Sequence, residues 1–330
     1  MKKIVCTLLG LLLLLTPVAC KGNATEAKTT VRLHEVTRSV FYAPQYVAAS
    51  LGFFTDEGLN VEITTSGGSE KAMTALLSGE ADVCLAGPET GVYVMNEGKA
   101  DHPIIVGQLT KRDGSFLIAR TPTDAFSWSD LIGKAVIGGR AGGMPIMTLR
   151  YVMAKNGLTD GENCTIIDSI QFNLMAGAFE GGEGDYVTLF EPTATEFQNA
   201  GKGHIVANIG MESGEVPYTC YFVTQAKRDG DRATVTKFLR AIHRAQTWIM
   251  TATDAEIATA MQPFFPDTSI ESLMIVARSY RETDAWKAEL TMDETAYERL
   301  LDIMDFNGVL TGRPAFSELI DNGVASEAEK

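Results

Sequence analysis

The sequence predicts an α/β protein of two lobes, with a ligand cleft between them and a helical C-terminal part. Three observations carry this. Short apolar, strand-like runs alternate with amphipathic stretches from Val31 to Thr224, which is the grammar of open sheets with largely parallel strands. Glycine-bearing turns repeatedly join a strand-like run to a helix-like one. A chain of 330 residues also exceeds one ordinary core, so about two lobes are expected.

The first unit reads element by element. Residues 31–36 and 59–64 are strand-like, and 44–51 is a helix opened by Pro44. Residues 69–78 place Ala72, Met73, Ala75, Leu76 and Leu77 on one helical face, with Gly79 as the stop. A buried strand over 81–86 leads to a helix over 89–96. Residues 104–109 and 116–119 are further strands.

The same grammar restarts after Thr121-Pro122. Helices are predicted over 128–132, 144–156, 173–179 and 192–199, and strands over 135–138, 165–168, 185–189 and 204–208. Residues 216–224 return to a strand. The tail is helical over 226–251, 254–261, 270–281 and 293–306, and frayed from Glu327. The crossovers fall near 119–122 and 215–218. One lobe is thus residues 31–119 plus about 218–330, the other 120–217. A ligand would sit between them, where strand C-termini meet helix N-termini.

The N-terminus predicts an address. Lys2 and Lys3 precede an apolar run from Ile4 to Leu15, too short to span a bilayer comfortably, so residues 1–19 read as a signal peptide. A small residue before Cys20 resembles a bacterial lipobox, with Pro17 where leucine is usual. Lipidated Cys20 and a polar tether over 20–30 would anchor the protein outside the cytoplasm, on the cell membrane. Without the leader, 28 − 2 = 26 basic residues face 42 acidic ones, a balance that opposes nucleic acid as a partner. Cys84, Cys164 and Cys220 lie in apolar contexts and match no zinc spacing, so they read as buried thiols. The four histidines are likewise not at metal-ligand spacing, so no metal is expected. A monomer with no cofactor is expected as well.

Candidate site residues gather at the glycine turns. Gly67-Gly68-Ser69, Gly87-Pro88-Glu89 and Gly139 to Gly143, with Arg140 and Gly142 inside the last, each precede a helix. Such turns let backbone N–H groups approach a polar ligand. None is a Walker loop or a dinucleotide fingerprint. Tyr42, Tyr186, Tyr218 and Tyr221 offer flat rings for a planar ligand, and Phe190 flanks Glu191-Pro192. Glu89 and Glu191 are either acceptors for a ligand's amino groups or paired carboxylates of an enzyme, with His34 as a possible partner. Structural roles compete with each of these.

Three stretches together resemble the NMT1/THI5-like and SsuA-like substrate-binding proteins of ABC importers. Phe41 to Glu62 (FYAPQYVAASLGFFTDEGLNVE) is similar to the family's opening helix, its Gly-aromatic-aromatic corner and its Glu-Gly-Leu-x-Val. Leu77 to Val83 resembles the Gly-x-Ala-Asp step, and Trp128 to Val136 the Asp-Leu-x-Gly-Lys-x-Val start of the second lobe. The resemblance implies a type II periplasmic-binding fold, a small-molecule ligand, an ABC permease as partner and no catalysis. Fungal members are enzymes with a cysteine cluster, which this chain lacks. By position the pocket would draw on Tyr42, Gly68, Ser69, Pro88, Glu89, Arg140, Gly142, Gly143 and Glu191. Family ligands include thiamine-precursor pyrimidines, riboflavin, sulfonates, taurine and nitrate. Arg140 alone suits an oxyanion, whereas Tyr42, Tyr186, Glu89 and Glu191 suit a planar nitrogen heterocycle, which is the expected class.

Overall fold

The structure, a computed structural model, describes residues 28–98, 102–123 and 125–330. The signal peptide, Cys20 and most of the tether lie outside the described residues. The strands are β1 (Thr29–Glu35), β2 (Leu59–Thr65), β3 (Val83–Ala86), β4 (Pro103–Thr110) and β5 (Ser115–Ala119). They continue as β6 (Ala135–Ile137), β7 (Thr165–Ile167), β8 (Tyr186–Phe190), β9 (His204–Asn208) and β10 (Thr219–Thr224). The helices of the first half are α1 (Ala43–Ser50), α2 (Phe53–Asp56), α3 (Ser69–Leu77), α4 (Glu89–Asn96) and α5 (Met144–Lys155). Then come α6 (Met175–Glu180), α7 (Thr193–Asn199), α8 (Ile209–Ser213), α9 (Gln225–Gly230) and α10 (Arg232–Thr251). The tail carries α11 (Asp254–Met261), α12 (Ile270–Glu282), α13 (Glu294–Phe306), α14 (Phe316–Leu319) and α15 (Asn322–Ala328).

Two five-stranded sheets have orders β2-β1-β3-β10-β4 and β7-β6-β8-β5-β9. The two orders are equivalent. In each sheet one strand runs antiparallel to its neighbours, β10 against β3 and β4, and β5 against β8 and β9. This is where the expectation of largely parallel sheets is amended, because the strand that enters each sheet straight from a crossover has no helix to reverse it.

That topology also moves the first lobe boundary. Residues 116–119, read as part of the first lobe, pair with Tyr186–Phe190 and with His204–Asn208. The chain therefore changes sheet over 111–114, between β4 and β5. The return lies between α8 and β10. Two further readings change. The helix expected over 226–251 breaks at Asp231, whose φ of −141° and ψ of 44° are not helical. The tail from Glu327 is docked, since Val324, Ala325 and Ala328 of α15 are buried and Glu329 accepts from the N–H groups of Leu290 and Thr291.

The crossovers are packed around Phe41. Its ring meets Tyr42, Tyr218, Tyr280 and, from the second sheet, Phe190. Gly114 is required beside it, because a β-carbon there would stand 2.6 Å from the ring. Trp286 donates to the Phe41 carbonyl at 3.0 Å. Tyr280 of α12 donates to Gly114 O at 3.2 Å and accepts from Glu191 N at 3.0 Å, so one buried phenol ties both segments together. Asp113, on the first crossover, accepts from Ser115 N and Oγ and lies beside the Tyr218 phenol. Burial pushes its carboxyl up to about 6. Cys84, Cys164 and Cys220 are buried free thiols.

Candidate ligand-binding cleft

The C-terminal ends of β1, β2 and β3 face those of β6, β7 and β8 across a cleft of about 500 Å³. Val36, Thr37, Ser39, Tyr42, residues 67–71, Gly87 and Glu89 line one wall, with Tyr218 and Thr219 beside them. Gly139, Arg140, residues 143–145, residues 171–173 and Phe190 line the other. Helices α3, α4 and α5 begin at this cleft, and none has a side-chain cap at its first residue. Their leading N–H groups and positive helix ends therefore point to the interior.

The deep end is carboxyl and aromatic. Glu89, the first residue of α4, is buried, and its side chain folds back so closely over Gly87 that no β-carbon fits there. Burial raises its carboxyl to about 7, although its own N–H, that of Met144 and the Arg140 charge pull the other way. One oxygen, Oε2, is buried with no hydrogen-bond partner. Tyr42 and Tyr218 are also buried here, and burial with nearby carboxyl groups lifts both phenols far above their ordinary range. Phe190 packs on Tyr218 and on Phe172, continuing the apolar surface outward.

The rim is charged. Arg140 Nη2 reaches Glu70 Oε2 at 3.0 Å, from one wall to the other. Tyr93 Oη donates to Gly142 O at 2.9 Å, again across the cleft. Ser39 Oγ donates to Glu191 O at 3.0 Å. Ser69 Oγ accepts from Gly87 N at 3.1 Å and so couples two of the glycine turns.

Of the residues singled out from sequence, Tyr42, Gly68, Ser69, Glu89, Arg140, Gly143 and Tyr218 lie together in the cleft wall. Six stand elsewhere. Pro88 precedes α4 as its cap residue. Gly142 offers its carbonyl to Tyr93. Tyr186 sits at the start of β8, the end away from the cleft, near Phe126. Glu191 is buried and accepts from Thr195 N at 2.9 Å and Thr195 Oγ1 at 2.8 Å, so its carboxyl is spent on the first turn of α7. Tyr221 is fully buried and donates to Gln45. His34 bonds Ser66 at 3.1 Å. Sequence reasoning missed Glu70, Lys71, Gln171, Phe172 and Asn173. Only Glu70 and Lys71 carried a signal, as the second and third residues of a helix after a glycine turn.

Two mixed sheets of equivalent order around one cleft, with helix N-termini aimed into it, define a substrate-binding protein of the type II periplasmic-binding fold. The family described as NMT1/THI5 like matches residues 40–255, and the chain belongs to that family. YtlA of Bacillus subtilis (strain 168), which bears the name of a binding protein, is 39% identical over 318 residues. That match covers 96% of this chain and 95% of YtlA. The fold is similar to that of the alkanesulfonate-binding protein SsuA of Xanthomonas axonopodis pv. citri, solved bound to MOPS. There the TM-score is 0.71 at 14% identity, over 89% of this chain and 98% of that one. The periplasmic nitrate-binding protein NrtA of Synechocystis PCC 6803 gives 0.69 at 17% identity, over 91% and 88%. The chain is accordingly a binding protein and not an enzyme. Among the described residues, no helix is long and apolar enough to cross a membrane, and no acidic, histidine or cysteine group is arranged to hold a metal.

Proposed function

We propose that this protein is the extracytoplasmic component of an ABC importer, anchored through lipidated Cys20 and acting as a monomer. It presents to the permease a planar nitrogen heterocycle, of which a thiamine-precursor pyrimidine is the leading candidate. Glu89 carries the reading. A buried carboxyl with one unpartnered oxygen, facing a cleft, calls for a ligand that donates N–H. An aminopyrimidine offers a ring and an amino group in one plane, and the rings of Tyr42, Phe172, Phe190 and Tyr218 supply faces for it.

Screening by thermal shift tests this, with aminopyrimidines, thiamine and riboflavin in one set and taurine, alkanesulfonates and nitrate in the other. A ligand at 100 times its dissociation constant stabilises by about 2.7 kcal/mol, a visible shift. The reading requires a response in the first set, and a response confined to the second overturns it. A sulfonate or nitrate ligand is the second reading, favoured by the three helix N-termini at the cleft.

A further inference from the structure

We propose that Glu70 and Glu89 set the charge selectivity of the cleft by occupying, from within the chain, the places a small oxyanion would take. The inference rests on the cleft being the solute site, and it does not depend on the heterocycle assignment.

A small oxyanion is favoured by helix N-terminal N–H groups and by a nearby cation. Both acids stand at such ends. The Glu70 carboxylate lies 3.1–3.2 Å from where a β-carbon on Gly68 would stand, and Gly68 is the cap residue of α3. The Glu89 carboxyl is folded over Gly87, just before α4. An internal carboxylate therefore covers the start of α3 and of α4. The cation is engaged as well. Arg140 is held by Glu70 at 3.0 Å and turns its other terminal nitrogen to Ala141 O. Lys71 and Arg140 are the cleft's basic side chains, and Glu70 and Glu89 are its acidic ones, so the lining is balanced rather than positive. Removing one acid tips it toward an anion. Removing both leaves two cations and two exposed helix ends.

Binding of sodium nitrate and sodium methanesulfonate to the purified protein, by calorimetry at pH 8 and low salt, provides the test. The set is wild type, Glu70→Gln, Glu89→Gln, the double variant and the charge-keeping Glu70→Asp. Wild type and Glu70→Asp should show no saturable binding at millimolar anion. Each glutamine variant should gain roughly tenfold or more, about the worth of one charge-assisted contact, and the double variant should gain most. Saturable wild-type binding of either anion overturns the proposal, as does a double variant that keeps its native circular dichroism and gains nothing. If wild type binds none of the heterocycles while the double variant gains anion binding, the heterocycle assignment fails and this proposal stands.

Discussion

Replacing Glu89 by glutamine should move stability and binding in opposite directions. The carboxyl is buried, and burial lifts it from an ordinary 4.5 to about 7. The folded protein then keeps a proton that the unfolded chain releases between those values. Stability from this group is full below pH 4.5, falls as pH rises toward 7, and is level above. At 1.36 kcal/mol per pH unit, the ionised group costs about 3 kcal/mol at pH 8. Glutamine is neutral throughout, so Glu89→Gln should be the more stable protein at pH 8, by up to about 3 kcal/mol or roughly 5 °C in a chain of this size. Near pH 4.5 the two should melt together. Thermal unfolding of ligand-free protein from pH 4.5 to 8.5 gives the difference curve. Binding should respond the other way. A donor ligand meets the ionised carboxylate in wild type, and losing a hydrogen bond to a charged group costs about 1.5–3 kcal/mol, or about 10- to 100-fold in affinity. Wild-type affinity should rise with pH to about 7 and then flatten. A stability difference that does not change with pH, or a Glu89→Gln protein that binds the heterocycle as wild type does, refutes the reasoning.

Three further outcomes are expected. Tyr93→Phe removes the 2.9 Å bond to Gly142 O and should raise the ligand off-rate by up to about tenfold in stopped-flow measurements, at little cost to the melting temperature. Phe190→Ala removes a half-buried ring that touches Phe41, Phe172 and Tyr218, and should weaken ligand binding measured by calorimetry by about 1–3 kcal/mol. Cys20→Ser should move the exported protein from the membrane fraction to the soluble one on cell fractionation, since the remaining tether is polar.

Much of the frame was legible because its signals are local. The β-α periodicity, the glycine turns before α3, α4 and α5, and the aromatic corner at Phe53-Phe54 are each read within about ten residues. What escaped depends on distant partners. Nothing in 115–119 says that this strand will pair with β8 and β9, because the apolar run of four at 116–119 fits either sheet. Glu191 and Glu89 look alike in sequence, each beside a proline at a strand-to-helix junction. Only the fold shows that Thr195 satisfies one, while the other keeps an unpartnered oxygen. Gln171 and Phe172 open a single 3-10 turn with no periodic pattern, and their presence in the wall follows from where β7 ends. Glu70 was hidden by its ordinariness, since an acid in a helix's first turn is expected anywhere.

The turn over 139–143 concentrates the traffic between the walls. Arg140 reaches Glu70 of α3, Gly142 O receives Tyr93 of α4, and Met144 N–H faces Glu89 at the start of α4. Gly142 has φ of 80°, and Gly139 of 103°, so the chain can expose these groups toward the opposite wall only with glycine there. The same segment opens α5, whose uncapped end faces the cleft. One short turn thus reports on both first-lobe helices that carry the cleft acids. A ligand that donates a hydrogen bond to Glu89 alters the charge facing Met144 and Arg140, and through Arg140 the pair with Glu70. Ligand charge and wall-to-wall contact are therefore coupled by the same few residues. A cleft built this way discriminates by what it must unpair on binding as much as by what it gains.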